Sequence, residues 1–201
     1  AAQWESHDET YPYFDRIPIH SETRAMLEEF IENTKRNWAS GNPSNVGLLL
    51  CGMKGTGNTT IVKSLARELN TFIYEYRDVD NRMALEKNLN TRADRSVMLF
   101  DDLDSIVGFQ KRSEVVSGNI TTGDMLRVFN RTPGRVYAFM GTTNYPERVE
   151  DAFIRHGRFG ITIDVGPVDE VGIRHFFAEE HPDFMIDDHV RIPMRTASDI
   201  Y

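Results

Sequence analysis

The stretch VGLLLCGMKGTGNTT, residues 46–60, decides the fold of this chain. Its first six residues form an apolar run with the length of a buried parallel strand, and its end begins a helical pattern. The glycine-rich part, 52–60, matches the phosphate-binding template G-x-x-x-x-G-K-[ST] at every fixed position except one, because Asn58 stands where the template has lysine. The stretch therefore predicts a strand, a phosphate-binding loop and a helix in succession.

The glycines of this loop suit it to phosphate. They allow the backbone to bend until successive N–H groups point at phosphate oxygens, and the positive end of the next helix adds to the attraction. The hydroxyl of Thr59 stands where the template ligates Mg²⁺. The alternative is a glycine-rich turn without a ligand. The residues expected to line the phosphate site are Gly52, Met53, Lys54, Gly55, Thr56, Gly57, Asn58, Thr59 and Thr60.

Composition and charge exclude several other classes of protein. The chain has 201 residues, 40% of them hydrophobic, which suits one α/β domain with a small appendage. A net charge of −8 disfavours a general affinity for nucleic acid, and the single cysteine, Cys51, excludes an intramolecular disulfide. No apolar run approaches the roughly 18 residues of a membrane span, and the first residues do not resemble a signal peptide. We therefore expect a soluble, cytoplasmic protein.

Outward from the glycine stretch, apolar strands alternate with helical patterns. After VGLLLC the predicted strands are TFIYEY, SVMLFDD, VYAFMGTTN and ITIDVG. The predicted helices are IHSETRAMLEEFIENTKRNWAS, capped by Ser21, then TTIVKSLARELN, NRMALEKNLNTR, TTGDMLRVFNR, RVEDAFIRHG and DEVGIRHFFAEEHP. This alternation predicts an α/β fold, a five-stranded parallel sheet with helices on both faces. The predicted domains are an N-terminal arm, 1–18, a nucleotide-binding core, 19–167, and the start of a small helical lid, truncated or minimal, at 168–201.

Carboxylates follow the strand SVMLF. Phosphate chemistry needs one carboxylate to hold Mg²⁺ and a neighbour to polarise the attacking water, and we assign these roles to Asp101 and Asp102. The second residue of such a pair is usually glutamate, so the side chain of Asp102 is one methylene shorter. The alternative is a strand followed by an acidic helix cap. Asp104 is predicted to be a solvated or capping carboxylate.

Polar and basic residues follow the next strand. Asn144 can bridge the attacking water and the γ-phosphate, and Arg155 and Arg158 are planar cations suited to a developing phosphoryl charge. The arginines come after a short helix, too far along the chain to reach their own nucleotide easily, so we expect them to act on a neighbouring subunit. The alternatives are a helix cap for Asn144 and surface ion pairs for the arginines.

In this order, the glycine loop, the paired acids, GTTN and DAFIRHGRFG resemble the AAA family of ring-forming ATPases over roughly residues 18–185. The segments TTNYPERVEDAFIRHGR and FFAEEHPD look closest to the mitochondrial respiratory-chain assembly chaperone (Bcs-type) branch. Typical AAA unfoldases carry an aromatic pore residue followed by glycine in the segment after the second strand. The corresponding segment of this chain has no such pair, and the Bcs-type branch also lacks it. A viral or phage relative trimmed to the core would fit. The resemblance implies ATP and Mg²⁺ as cofactors, a homo-oligomeric ring (hexamer or heptamer) and a protein substrate, with nucleic acid disfavoured.

Departures from the family pattern bear on activity. Asn58 replaces lysine, His156 stands where proline is expected and Gly160 where aspartate is expected. Asn58 can donate a hydrogen bond but cannot neutralise charge, and losing a charge-assisted contact costs about 1.5–3 kcal/mol. We expect impaired ATP binding or hydrolysis, unless Lys54 supplies the missing cation. Two alternatives stay open: a catalytically silent nucleotide-binding scaffold subunit, and a loader-type ATPase of nucleic-acid metabolism.

Overall fold

The computed structural model describes residues 4–5, 11–41, 46–76, 96–106, 127, 138–149, 153–154 and 158–201. Its strands are β1 (Trp4–Glu5), β2 (Val46–Cys51), β3 (Phe72–Glu75), β4 (Ser96–Phe100), β5 (Ala138–Thr143) and β6 (Ile161–Asp164). Its α-helices are α1 (Ser21–Ala39), α2 (Asn58–Glu68), α3 (Leu103–Ile106) and α4 (Glu170–Glu180). Short 3-10 helices span Phe14–Arg16, Pro146–Arg148 and Ala197–Asp199.

The strands form one sheet in the spatial order β1-β3-β4-β5-β2-β6. The five strands from β2 to β6 are parallel, which confirms the predicted sheet. β1 pairs antiparallel with β3, so the N-terminal arm adds a short edge strand that the sequence did not predict. Because β5 lies between β4 and β2, the carboxyl ends of these three strands lie side by side at one edge of the sheet.

Both faces of the sheet are covered, as expected for a parallel sheet. Along β2, Leu48 and Leu50 belong to the core cluster that includes side chains of α1 and α2. On the opposite face, Leu49 and the ring of Phe159 lie against Gly141 of β5, where a Cβ would come within 2.9 Å of that ring. Alternate residues of one strand are therefore buried against different layers.

The N-terminal arm is fastened to α1 by a buried arginine. Arg24 donates hydrogen bonds to the carbonyl oxygens of Phe14, at 3.2 Å, and Ile17, at 2.8 Å, and its guanidinium lies over the ring of Phe14. Burial lowers the pKa of Arg24, although the nearby carboxylate of Asp15 opposes this shift. Since the side chains of Phe14 and Ile17 are also buried, this part of the arm packs as core.

The helices α1, α2 and α4 agree with the predicted ones. Ser21 is the first residue of α1 and not its cap, because the ring of His20 accepts the hydrogen bond from the backbone N–H of Glu22. The predicted helix NRMALEKNLNTR lies outside the described residues, and of TTGDMLRVFNR only Arg127, which is helical, is described. Of RVEDAFIRHG the structure describes 148–149 and 153–154, where Arg148 ends a 3-10 helix. The domain boundaries stay a prediction.

Candidate nucleotide-binding site

Three polar segments meet at the edge where β2, β4 and β5 end. The glycine loop leaves β2 after Cys51, two aspartates follow β4, and Asn144 follows β5. The loop begins in hydrogen-bond contact with its neighbour strand, because the backbone N–H of Gly52 donates to the carbonyl of Thr143 at 3.1 Å. Ligands of parallel sheets bind at this edge.

The glycine loop needs glycine at two positions for different reasons. Gly57 caps α2 in a left-handed conformation, with φ of 88°, which side chains disfavour. At Gly52 the backbone is ordinary, but a Cβ would lie 2.6 Å from the carbonyl oxygen of Val165. A tight turn between them is closed by the N–H of Thr56, which donates to the carbonyl of Met53 at 3.2 Å. The loop therefore bends sharply directly before the positive end of α2.

Asn58, the first residue of α2, has its side chain turned back into the loop. Its Nδ2 donates to the carbonyl of Gly52 at 3.2 Å, and its Oδ1 accepts from the Thr56 hydroxyl at 3.3 Å. The residue is buried, 9% exposed, so its amide stabilises the curled loop from within. The sequence indicated a neutral residue in place of a cation, but only the fold shows that this residue is engaged with the loop itself.

The carboxylate of Asp101 is held by two hydroxyls. Thr59 Oγ1 donates to its Oδ1 at 2.9 Å, and Thr142 Oγ1 donates to the same atom at 2.7 Å. Thr59 belongs to α2 and Thr142 to β5, so hydroxyls from two elements converge on one carboxylate oxygen after β4. Protein-bound Mg²⁺ uses one or two oxygen ligands from the protein together with phosphate oxygens and water. The donor set of Thr59 and Asp101 fits such an ion.

Asp102 and Asn144 form the second polar pair. Asn144 Nδ2 donates to Asp102 Oδ1 at 2.9 Å, and the carboxylate of Asp102 is exposed. The backbone of Asp102 is left-handed, with φ of 52°, which is uncommon for a residue with a side chain. Its N–H donates to the hydroxyl of Thr142 at 2.9 Å. The contact with Thr142 holds this conformation, which directs an ionisable group toward open space beside Asn144.

Asp104 corrects one expectation from the sequence. It was predicted to be solvated or to cap a helix, but its Oδ1 accepts from the Thr143 hydroxyl at 2.8 Å and from the backbone N–H of Asn144 at 3.3 Å. The side chain is partly buried and lies against the end of β5. Sequence spacing could not reveal this contact, because it joins residues about 40 positions apart on neighbouring strand ends.

An open cavity of about 420 Å³ lies between the glycine loop and the polar strand ends. Of the described residues that line it, Lys54 is the only cation, and its side chain is exposed. The other lining residues are Met53, Gly55, Gly57, Asn58, Thr59, Thr60, Asp102, Thr142, Asn144, Ala197, Ser198 and Tyr201. Most of the predicted phosphate-loop residues thus line one cavity with Asp102 and Asn144, whereas the predicted Gly52, Thr56 and Asp101 are not among its lining residues.

One wall of this cavity is formed by the C-terminal residues Ala197, Ser198 and Tyr201, which the sequence analysis did not predict as site residues. The short helix Ala197–Asp199 lies over the glycine loop, and the N–H of Ser198 donates to the carbonyl of Gly55 at 3.1 Å. A signal for this helix exists, because Thr196 and Asp199 form a capping box. The Thr196 side chain accepts from the backbone N–H of Asp199, and the Asp199 carboxylate accepts from the backbone N–H of Thr196 at 3.3 Å. The pattern T-x-x-D could have predicted a helix start, but not its position against the loop.

Arg155 and Arg158 are the two arginines that the sequence assigns to a neighbouring site. Arg155 lies outside the described residues. Arg158 is partly buried, and its backbone carbonyl passes so close to Gly47 that a Cβ there would overlap with it. Gly47 lies near the start of β2, five residues before Gly52, which corresponds to about 16 Å along a strand. Arg158 is not among the described residues that line the cavity of its own chain.

The thiol of Cys51, directly before the loop, is buried at the end of β2. Burial, reinforced by the carboxylate of Asp164, raises the pKa of this thiol to about 11. At neutral pH the cysteine is therefore an uncharged packing residue, and it adds no charge beside the glycine loop.

The parallel sheet, the glycine loop between β2 and α2 and the polar ends of β4 and β5 define a P-loop nucleotide-binding domain. The model of the ATPase family associated with various cellular activities (AAA) matches residues 48–167, more than half of the chain. The chain belongs to the AAA family. Membership implies nucleotide binding and ATPase activity at the level of the family.

Individual relatives are more distant. The chain is 26% identical over 202 residues to "Probable mitochondrial chaperone bcs1" of Schizosaccharomyces pombe, covering 94% of this chain and 45% of that protein. It is 26% identical over 148 residues to "AAA-ATPase At3g50940" of Arabidopsis thaliana, covering 68% of this chain and 33% of that protein. The chain thus spans between a third and just under half of the length of these relatives. The first match supports the Bcs-type branch inferred from the sequence.

Among the described residues, every helix is too short or too polar to cross a bilayer.

Proposed function

We propose that this chain is the core of an AAA ATPase that binds ATP and Mg²⁺ between subunits of a ring and couples hydrolysis to remodelling or translocating a protein partner. We further propose that Asn58 impairs ATP binding or hydrolysis in this chain. The observation that carries the proposal is the set of hydrogen bonds that joins Thr59, Asp101, Thr142, Asp102 and Asn144 beside the glycine loop.

Each residue of this set has a role in the proposed site. Backbone N–H groups of the loop bind the phosphates, apart from those of Gly52 and Thr56, which already donate to carbonyl oxygens. Thr59 with Asp101 would hold Mg²⁺, which neutralises phosphate charge when bound. The exposed carboxylate of Asp102 accepts a proton from the attacking water. Asn144, already hydrogen-bonded to Asp102, orients that water.

The arginines complete the site from a neighbouring subunit. The distance of Arg158 from the cavity along β2 favours a role outside its own site, and Arg155 lies three residues before it in the sequence. Both would stabilise charge on the phosphoryl group in transit. This arrangement supports the proposed ring, because a site that uses a neighbour's arginines repeats head to tail, and such contacts form a ring when the rotation between subunits closes.

Asn58 weakens the site in two ways. It carries no charge, so no cationic side chain at the start of α2 adds to the backbone dipoles and Mg²⁺ that face the phosphates. Its amide is also bonded to Gly52 and Thr56, and these contacts would have to break before it could reach a phosphate. Lys54 is exposed at the rim of the cavity. We regard it as a poor substitute for the missing lysine, because an exposed ammonium on a long side chain is not held in place against the phosphates.

The hydrogen bonds of the Asn58 amide to Gly52 and Thr56 favour a second candidate function. If the Asn58 amide holds the loop in one conformation, the chain could bind nucleotide without turnover and serve as a scaffold subunit. The two candidates differ in how they respond to a restored cation. An ATPase impaired by Asn58 regains turnover with lysine, whereas a scaffold whose remaining groups no longer act does not.

The test compares ATP turnover of this chain with that of the Asn58→Lys variant over a range of protein concentrations. Because a charge-assisted contact is restored, we expect turnover to rise by about 10- to 100-fold, and the rate per subunit to increase with concentration as rings assemble. The matched control is Asn58→Gln, which changes the side-chain length without adding charge and should leave turnover low.

Two results would contradict the proposal. An Asn58→Lys variant that binds a fluorescent ATP analogue but hydrolyses no ATP at any concentration supports the scaffold. A rate per subunit that is independent of concentration contradicts shared sites in a ring. Equal gains from Asn58→Lys and Asn58→Gln would show that charge is not what the site lacks.

A further inference from the structure

Three consecutive residues at the end of β5 contact three different carboxylates after β4. Thr142 donates to Asp101 and Asn144 donates to Asp102, through the contacts described above. The middle residue, Thr143, donates to the third carboxylate, that of Asp104. The first two carboxylates have roles in the proposed hydrolysis, and the third has none. The question is what the contact with Asp104 does.

Asp104 meets β5 at the point where the strand ends. Its Oδ1 accepts two hydrogen bonds, from the Thr143 hydroxyl at 2.8 Å and from the backbone N–H of Asn144 at 3.3 Å. The same hydroxyl accepts from the N–H of Tyr145 at 3.1 Å. One carboxylate oxygen and one hydroxyl therefore fix the backbone of two successive residues. With the backbone fixed there, the Asn144 side chain has few ways to point other than toward Asp102.

We propose that Asp104 is a positioning residue for hydrolysis, which sets the backbone of Asn144 so that its amide meets the carboxylate of Asp102. This inference rests on the proposed function. The hydrogen bonds of Asp104 come from Thr143 and from the backbone of Asn144, so it acts through Asn144. Its charge is not what the role needs: the role needs an oxygen that accepts from Thr143 and from the Asn144 N–H.

A purely structural role for Asp104 makes a different prediction. In that case the contact ties α3 to β5, and its loss lowers stability without a selective effect on the chemical step. In the positioning role, the loss leaves nucleotide binding nearly unchanged and slows the step in which the water attacks, because misplacement by about 1 Å can cost on the order of 100-fold in rate. A change in kcat with constant KM separates the two.

The experiment uses the Asn58→Lys variant as the active parent, and adds Asp104→Ala or Asp104→Asn. We expect Asp104→Ala to lower kcat by about 10- to 100-fold with KM for ATP within about twofold of the parent. Asp104→Asn keeps an acceptor oxygen at the same place and should lie within about threefold of the parent kcat. Thermal unfolding of each variant measures any loss of stability separately.

A double-mutant cycle tests whether Asp104 acts through Asn144. In the presence of Asn144→Ala, adding Asp104→Ala should cost less than about twofold in kcat, because the group that it positions is already absent. Should Asp104→Ala fail to fold, Thr143→Val removes the hydroxyl contact to Asp104 from the other side, and Thr143→Ser restores that hydroxyl. The same cycle then applies to Thr143→Val.

The outcomes distinguish this inference from the proposed function. A parent Asn58→Lys without turnover overturns the proposed function and this inference with it. An active parent whose Asp104 and Asn144 effects multiply independently overturns the inference alone. So does a parent in which Asp104→Asn is as slow as Asp104→Ala, since the acceptor would then not be what matters.

Discussion

At the scale of single residues, the site depends on backbone conformations that only particular residues adopt. Gly57 has a left-handed φ of 88° at the start of α2, and Asp102 has one of 52° beside Thr142. Glycine adopts this conformation without cost, whereas the aspartate is held by the hydrogen bond from its N–H to Thr142. A suitable test at this scale is a substitution that disfavours the left-handed backbone of one residue and leaves the hydrogen bonds around it in place.

Gly57→Ala provides such a test, in the presence of Asn58→Lys. A Cβ at Gly57 would have room, with its nearest neighbour, the Cβ of Ala197, at 3.5 Å, so the penalty is conformational and about 1 kcal/mol of stability. We expect affinity for a fluorescent ATP analogue to fall by at least about tenfold, because the N–H groups of the loop lose their alignment.

The matched control is Gly41→Ala. Gly41 also has a left-handed φ, of 72°, and a Cβ there meets nothing within 4 Å. Urea denaturation should show similar losses of stability for the two variants, while only Gly57→Ala weakens nucleotide binding. Equal weakening of binding in both variants would mean that the loop conformation is not what the nucleotide needs.

At the scale of elements, the start of α1 and the start of α4 share one carboxylate. Asp169 caps α4 by accepting from the N–H of Gly172 at 3.0 Å, and it accepts from the N–H and the hydroxyl of Ser21 at 2.9 and 2.6 Å. Burial alone would raise the pKa of Asp169, but the hydrogen bonds from Ser21 and Gly172 lower it overall. Ser21, which the sequence predicted to cap α1, therefore links α1 to α4 through Asp169.

Ser21→Ala should remove the hydroxyl contact and cost about 1 kcal/mol of stability at pH 7. Because the folded pKa of Asp169 is depressed, its contribution is present above the unfolded value, about 3.9, and is lost as the pH falls through the folded pKa. The stability difference between parent and variant should therefore shrink below about pH 4. Urea denaturation at several pH values measures this, with Ser21→Thr as the control that retains the hydroxyl. A difference that stays constant with pH would contradict the link to Asp169.

At the scale of the whole molecule, the sheet order decides which parts of the chain can form one site. Segments that start near residues 52, 101 and 144 meet because β4, β5 and β2 are neighbours in the sheet. The backbone of Arg158 lies at the other end of β2, beside Gly47. This separation within one molecule supports the proposal that the arginines act on the next subunit.

Subunit mixing tests that proposal, again with Asn58→Lys in every subunit. One variant carries Arg155→Ala with Arg158→Ala, the other carries Asp102→Asn, and each alone should be nearly inactive. A 1:1 mixture should recover about a quarter of the parent rate, because one in four interfaces then joins an intact site to intact arginines. A mixture as inactive as its components would place the arginines in their own subunit's site.

Much of the fold could be predicted from sequence because strand and helix patterns are local. The strand VGLLLC ends where the structure has β2 end, and five parallel strands follow from alternation with helices. The short strand Trp4–Glu5 could not be predicted, since two residues have no periodicity and their pairing with β3 depends on a segment some 70 positions away. The same holds for the helix Ala197–Asp199, whose position over the loop no local pattern encodes.

The sequence by itself determined the AAA class of this chain, predicted its phosphate-binding loop and acids, and showed a neutral Asn58 where the template has lysine, because these depend on residue types at short spacing. Only the tertiary structure decided where the Asn58 amide points, that Asp104 lies against Asn144, and that Asp101 is shared by Thr59 and Thr142. The reason is physical. Hydrogen bonds form between atoms within about 3 Å, and which atoms come so close depends on the order of strands in the sheet.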